Sequence, residues 1–457
     1  MKTSLIKNLS ILIFFGFLVK ILGLFNKIIL SRALLLEGLA YYTKLMPIAA
    51  LFMTIASFSL GPVITQTVSK NISKIPYSNR NLIKKSFITA TTTASIVSVV
   101  HLCLNYVICH YLLRSDELIK PFIFFIPLYY LVSYSAIFKG YFHGYDKMEA
   151  YAIGQLIEQI VRILLVYIFI IPAINTNLIN GVIASILTLS IAELIQNIYL
   201  FIRVIFFTKL KGKTTIKTKY IDIIKPASHL TSSKLFSSFS MFLEPIIFTQ
   251  AFLNTGLSSK IADELYATIY GYSIPIIMTT SFITIAIETA ILPSLTVAHN
   301  NQEHDKINHL VNKALLLSFI PAAIFSFLYF NFSEELMMLF YKTTKGAYYV
   351  KIMAIPSFIS YFEGVFVSLL IATKNEKKLV LTTITTNIIH LVLIFILVSI
   401  PRINALGIVI SFSLLMSITP IILCYIANKK ELVDLKVKYL ILGIVLYIIF
   451  MCTSFFL

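Results

Sequence analysis

Apolar residues run through this chain in stretches long enough to cross a bilayer, separated by short polar connections. The runs fall near 8–31, 43–68, 86–112, 121–142, 151–172, 178–206, 223–251, 265–297, 309–331, 348–372, 379–400, 405–427 and 439–457. A spanning helix needs roughly 20 apolar residues. The pattern therefore predicts an all-α polytopic membrane protein of twelve to fourteen spans, with thirteen countable. The 13% charged residues lie far below the roughly 25% of soluble domains.

Polar positions inside the runs carry the information about chemistry. Lys20 and Lys27 both lie within the first run. Seven residues are two helical turns, so the two share a face roughly 10 Å apart, with Asn26 beside the second. A charge at the centre of a span costs at least about 2.5 kcal/mol, and stability gives no reason to place two cations on one stripe. A water-filled cavity that receives an anion gives one. For Lys27, nearer the helix end, snorkelling to the interface is the competing reading.

The other embedded ionisable residues are Glu158, Arg162, Glu193, Lys234, Glu244, Glu288 and Glu363. Glu158 and Arg162 are four apart and can pair along one helix face; with Gln155 and Gln159 they form either a structural pair or a polar lining. Ser281, Thr284 and Glu288 form one stripe, which makes Glu288 a candidate proton or sodium site or a partner for an embedded lysine. Glu244 precedes Pro245 at a predicted kink and is a second candidate. Lys234 is a further cation that can face a cavity.

The net charge of +18 does not point to nucleic acid, because the basic residues are spread through short connections. The richest of these follow alternate helices, which places them and the N-terminus in the cytoplasm. The basic connection 208–222 divides the chain into a six-helix lobe at 1–207 and another at 223–427, followed by a loop and extra helix at 428–457. Weak internal similarity supports the division: Asp146-Lys-Met and Asn375-Glu-Lys each open a helix of similar length. Two halves of equal orientation imply a pseudo-two-fold axis along the membrane normal, with the site where the halves meet.

The eight histidines show no metal-ligand spacing. No glycine-rich nucleotide loop or hydrolytic triad can be assembled. The sequence thus predicts no cofactor, no metal and no enzymatic activity.

Phe138-Lys-Gly-Tyr-Phe-His-Gly-Tyr-Asp-Lys-Met148, followed by Ile153-Gly-Gln-Leu-Ile-Glu-Gln-Ile-Val-Arg162, resembles the signature of the stage V sporulation protein B/polysaccharide transporter family. That family lies within the multidrug/oligosaccharidyl-lipid/polysaccharide (MOP) exporter superfamily. Lys20-Ile-Leu-Gly-Leu, Glu264-Leu-Tyr and Leu292-Pro-Ser-Leu agree with it. The resemblance implies a flippase similar to MurJ-type lipid II flippases, in the bacterial cytoplasmic membrane. Its substrate would be an undecaprenyl-diphosphate-linked glycan, with membrane lipids and cell-wall synthesis machinery as partners and membrane potential, H+ or Na+ as driving force. It gives Lys20 a cavity-facing role; the second family cation falls at Asn26, with Lys27 beside it. Other lipid-linked polysaccharide units, a drug antiporter of the superfamily and a non-transporting scaffold are the alternatives.

Overall fold

A computed structural model describes residues 2–72, 77–78, 80–207, 214–215, 219–430 and 432–433. The expected span at 439–457 lies outside the described residues. The chain is helical almost throughout. In order the helices are α1 (Lys2–Ser57), α2 (Leu60–Ile72), α3 (Arg80–Tyr106), α4 (Ile119–Ile123), α5 (Ile126–Gly144) and α6 (Met148–Leu165). Then follow α7 (Ile171–Thr176), α8 (Leu178–Phe207), α9 (Ile221–Leu253), α10 (Ser259–Ala267), α11 (Ile274–Met278) and α12 (Ser281–Asn300). The last are α13 (His304–Asn331), α14 (Ser333–Tyr341), α15 (Ala347–Ser360), α16 (Glu363–Ala372), α17 (Glu376–Val398) and α18 (Leu406–Lys429). Two short strands, Tyr77–Ser78 and Thr214–Thr215, pair in parallel.

Among the described residues ten helices are long and apolar enough to cross a membrane, or eleven when α4 and α5, bent by 42°, count as one broken span. The first of the ten, Phe15–Lys70, covers 56 residues, about 84 Å if straight, far more than the ~30 Å hydrocarbon core. It is not straight: Leu35 has φ 56° and ψ −176° inside α1, and Phe58 and Ser59 both have φ 46°. The arms on either side of Leu35 correspond to the runs at 8–31 and 43–68. The run at 265–297 also divides, ending α11 at Met278 and opening α12 at Ser281.

Prolines do not mark all the breaks that the sequence leads one to expect. Pro47, Pro226, Pro245 and Pro356 lie inside continuous helices, which membrane helices tolerate when neighbouring groups take up the freed carbonyl. The broken span of α4 and α5 and the π-helical turns at Val166–Ile170 and Thr268–Ser273 also interrupt the regular helices, and a proline follows each within the first turn of the next helix: Pro127, Pro172 and Pro275.

The chain forms two compact units, Met1–Thr249 and Gln250–Leu457. In the first, α9 packs with the early helices: Ile223 and Ala227 share a core with Leu60, Ile64 and Phe138, and Ile246 shares another with Phe52, Phe122 and Tyr129. Helices α2 and α5 meet at small residues, as membrane helices do when backbones approach closely. A Cβ at Gly140 would stand 2.4 Å from the Gly61 carbonyl oxygen and 2.9 Å from Ile64 Cβ. In the second unit, α12 and α16 use the same device. A Cβ at Gly364 would stand 2.8 Å from Thr284 Cγ2, and the Ser368 hydroxyl donates to the Glu288 carbonyl at 3.1 Å.

One turn occurs in both units. Asp146 takes a left-handed φ of 55°, the Lys147 N–H donates to Phe142 O at 2.8 Å, and the Asp146 N–H donates to His143 O at 3.2 Å. Lys374 repeats this with φ 58°, Asn375 donating to Leu370 O at 2.7 Å and Lys374 to Ile371 O at 3.1 Å. These are the paired bonds of a Schellman C-cap, and they match Asp146 with Lys374 and Lys147 with Asn375, one residue out of step with the sequence comparison.

Candidate functional site

The lysine-bearing arm of α1 presents its cations openly. Lys20 and Lys27 are exposed and Asn26 is half-buried. Neither lysine makes a hydrogen bond or ion pair among the described residues. Gly23, between them, lies against α6: a Cβ there would be 3.6 Å from Gln159 Oε1, while one at Gly16 would meet nothing within 4 Å. The lysines therefore border the α1–α6 contact without entering it.

Lys234, on α9, is also exposed and without an ion pair among the described residues. It lies within electrostatic range of Lys139 on α5, whose ammonium sits 5.5 Å from the centre of the Tyr151 ring. Lys139 was not among the residues singled out above, although it is the basic residue of the signature around Gly140. Lys44 escaped as well. It opens the second run, where it reads as an interface residue, yet it is fully buried.

A buried polar network occupies the interior of the first unit. Arg162 pairs with Glu158 one turn earlier on α6. Glu193 of α8 interacts with Glu158 and Ser135 and feels the Arg162 charge. Gln196 donates to Ser135 Oγ at 2.9 Å, and Asn197 donates to the Leu131 carbonyl at 2.8 Å. Glu158, Glu193, Gln196 and Asn197 are all buried. Two buried carboxylates thus lie near one guanidinium, which is paired to Glu158. Gln159, also buried, has an Oε1 without a hydrogen-bond partner among the described residues, and Gln155 is half-buried on the same helix.

The acidic candidates fall in both units. Glu244, half-buried, is on α9 in the first. Glu288 on α12 and Glu363 at the start of α16 belong to the second and lie within electrostatic range of each other. Glu288 makes no ion pair among the described residues.

This is the fold of a multi-pass membrane protein, with polar and charged groups carried inside its helices. The chain belongs to the polysaccharide biosynthesis protein family, whose pattern matches residues 5–296. Stage V sporulation protein B of Bacillus subtilis (strain 168) is 23% identical over 448 residues, covering 96% of this chain and 86% of that protein. Sporulation protein YkvU of the same organism is 22% identical over 420 residues, covering 89% and 91%. Among solved structures, an inward-facing multidrug resistance MATE family transporter of the MOP superfamily superposes with a TM-score of 0.65 at 14% identity, covering 91% of this chain and 94% of that one. A MOP superfamily transporter from Pyrococcus furiosus gives 0.60 at 14% identity, with 93% and 95% covered.

Proposed function

We propose that this protein is an alternating-access flippase that moves a polyprenyl-diphosphate-linked oligosaccharide, with lipid II the favoured cargo, from the cytoplasmic to the outer leaflet. The observation that carries the reading is the set of exposed lysines within spans of the first unit, Lys20, Lys27 and Lys234, none of them ion-paired among the described residues. Lysine is a compact point charge suited to phosphate oxygens. A cation held unpaired in a membrane-spanning helix is costly, and a diphosphate offsets that cost. Membership of the polysaccharide biosynthesis family supports a glycan cargo, and the sporulation relative supports a cell-envelope role. A drug antiporter, the alternative raised by the structural neighbours, would carry cationic substrates past these lysines against their charge.

The orientation in this reading puts the N-terminus in the cytoplasm of a bacterial cell. An anionic head group leaving an inside-negative cell moves down the potential, by about 2.3 kcal/mol per elementary charge per 100 mV. Glu288 and Glu244 are the residues assigned to a coupled H+ or Na+. The test is flipping of defined lipid-linked sugars by the purified protein in liposomes, with and without ion gradients. Movement of lipid II that Lys20→Ala slows supports the proposal. Movement of cationic dyes with no movement of lipid-linked sugars refutes it.

A further inference from the structure

The turn shared by the two units has one difference that points to a ligand. Beside the turn in the first unit lies an open cavity of about 270 Å³, lined by Phe142, Lys147, Glu149, Ala150, Arg203 and Phe206. Phe142 and Ala150 are buried and form its floor, while Phe206 is 67% exposed at its rim. Lys147 immediately precedes the span Met148–Thr176, and Arg203 lies three residues before the end of the span Leu178–Phe206. Around Arg203, Phe201, Ile202, Ile205 and Phe206 are all exposed apolar side chains, as expected of a lipid-facing surface. The cavity therefore sits between the first turn of α6 and the last described turns of α8, beside an exposed apolar face.

In the second unit the same turn closes on itself. Asn375 occupies the place of Lys147, and the ammonium of Lys430, at the end of that unit's last described helix, donates to its Oδ1. Asn375 Nδ2 in turn donates to the Thr373 carbonyl at 3.1 Å. The first unit replaces the acceptor with a second cation. Lys147 and Arg203 cannot satisfy each other, and neither they nor Glu149 make a side-chain hydrogen bond or ion pair among the described residues.

We infer that Lys147 and Arg203 form a binding site for the phosphate of an anionic phospholipid, whose acyl chain lies along the exposed face of α8. Two cations of different shape suit one phosphodiester: the guanidinium grips two oxygens in a fork and the ammonium adds a point charge. Positive-inside orientation places the site in the leaflet that carries anionic lipids. Glu149 at the edge accepts from hydroxyl groups of a glycerol head group. The inference is independent of the transported cargo and uses none of the residues assigned to it.

The test titrates the delipidated full-length protein with phosphatidylglycerol or phosphatidylcholine and counts bound lipid by native mass spectrometry. Phosphatidylglycerol is expected to bind in preference, and Lys147→Asn or Arg203→Gln each to weaken it about fivefold, the usual effect of one basic residue near a membrane surface. Lys147→Asn installs the residue that the second unit already uses in this turn, so the fold is kept; an unchanged thermal midpoint verifies it. Glu149→Gln is expected to leave the preference in place. Equal binding of the two lipids, equal binding by wild type and the Lys147→Asn/Arg203→Gln pair, or a loss with Glu149→Gln as large as with Lys147→Asn would each overturn the site. So would displacement of the lipid by millimolar inorganic phosphate or by a polyprenyl diphosphate, which would assign the pocket to another source of phosphate.

Discussion

The embedded carboxylates of the two units keep different company. In the first, Glu158 pairs with Arg162 and Glu193 feels both of their charges, while Lys20 and Lys27 are exposed on α1. In the second, Glu288 and Glu363 lie within electrostatic range of each other. Yet the two units share their helix packing at glycine and their Schellman turn. A duplicated scaffold has been kept while its charges diverged, which separates what folding requires from what function adds. The glycines and turns belong to the scaffold; the lysines and acids do not.

The comparison can be broken most forcefully at Arg162. Removing one partner of a buried pair typically costs 3–5 kcal/mol, about the loss expected for Arg162→Ala, because Glu158 and Glu193 are then left without their cation. Thermal unfolding in detergent measures it, and Glu158→Gln added to Arg162→Ala should recover part of the loss. An unchanged midpoint for Arg162→Ala would show that the network does not hold the first unit together.

Next come the scaffold glycines. Gly140→Ala drives a Cβ against the Gly61 carbonyl, and overpacking of this kind costs about 1–3 kcal/mol. Gly364→Ala meets Thr284 Cγ2 and O at 2.8 and 2.9 Å and should cost a similar amount. If only one of the two lowers the thermal midpoint, the packing device is not shared.

Lys20→Ala should instead leave stability intact and reduce lipid flipping at least about tenfold, the weight of a hydrogen bond to a charged group at about 1.5–3 kcal/mol. Glu288→Gln should change the dependence on an ion gradient rather than the affinity for lipid. A variant of Lys20 that unfolds, or that flips at the wild-type rate, would return this lysine to the scaffold.

The smallest effect is electrostatic and belongs to the second unit alone. Glu303, exposed before α13, is held below the ordinary carboxylate range by hydrogen bonds from Lys306 and Asn301. A group with a depressed folded pKa stabilises above its unfolded pKa and loses that contribution as pH falls through the folded value. Glu303→Gln should therefore slightly lower stability at neutral pH, and the difference from the parent protein should shrink as pH falls below about 4.5. An effect at pH 4 as large as that at pH 7 would contradict this assignment.

Hydropathy made most of the helices legible, because the bilayer imposes length and apolarity together. It separated the runs at 8–31 and 43–68 that flank Leu35, but could not place the division at Thr279–Thr280, since threonine carries no turn signal and the apolar run at 265–297 continues across it. Among the charges, the i, i+4 spacing brought Glu158 to Arg162, but nothing local in sequence brings Glu193 beside them; that takes the packing of α6 on α8. Lys139 was readable only through the signature that contains it. Lys44 was not readable at all, because a charge at the edge of a run looks like an interface residue until its neighbours cover it.

Leu35 joins the lysine-bearing arm of α1 to the rest of the first unit at a backbone conformation that leucine rarely adopts. Such a residue stores on the order of 1–3 kcal/mol. That energy behaves as a wound spring at the base of the arm: any tilt that returned Leu35 to a negative φ would release it. The arm that carries Lys20 and Lys27 is thus attached through a strained joint, and a Leu35→Gly substitution would slacken the spring without touching either lysine.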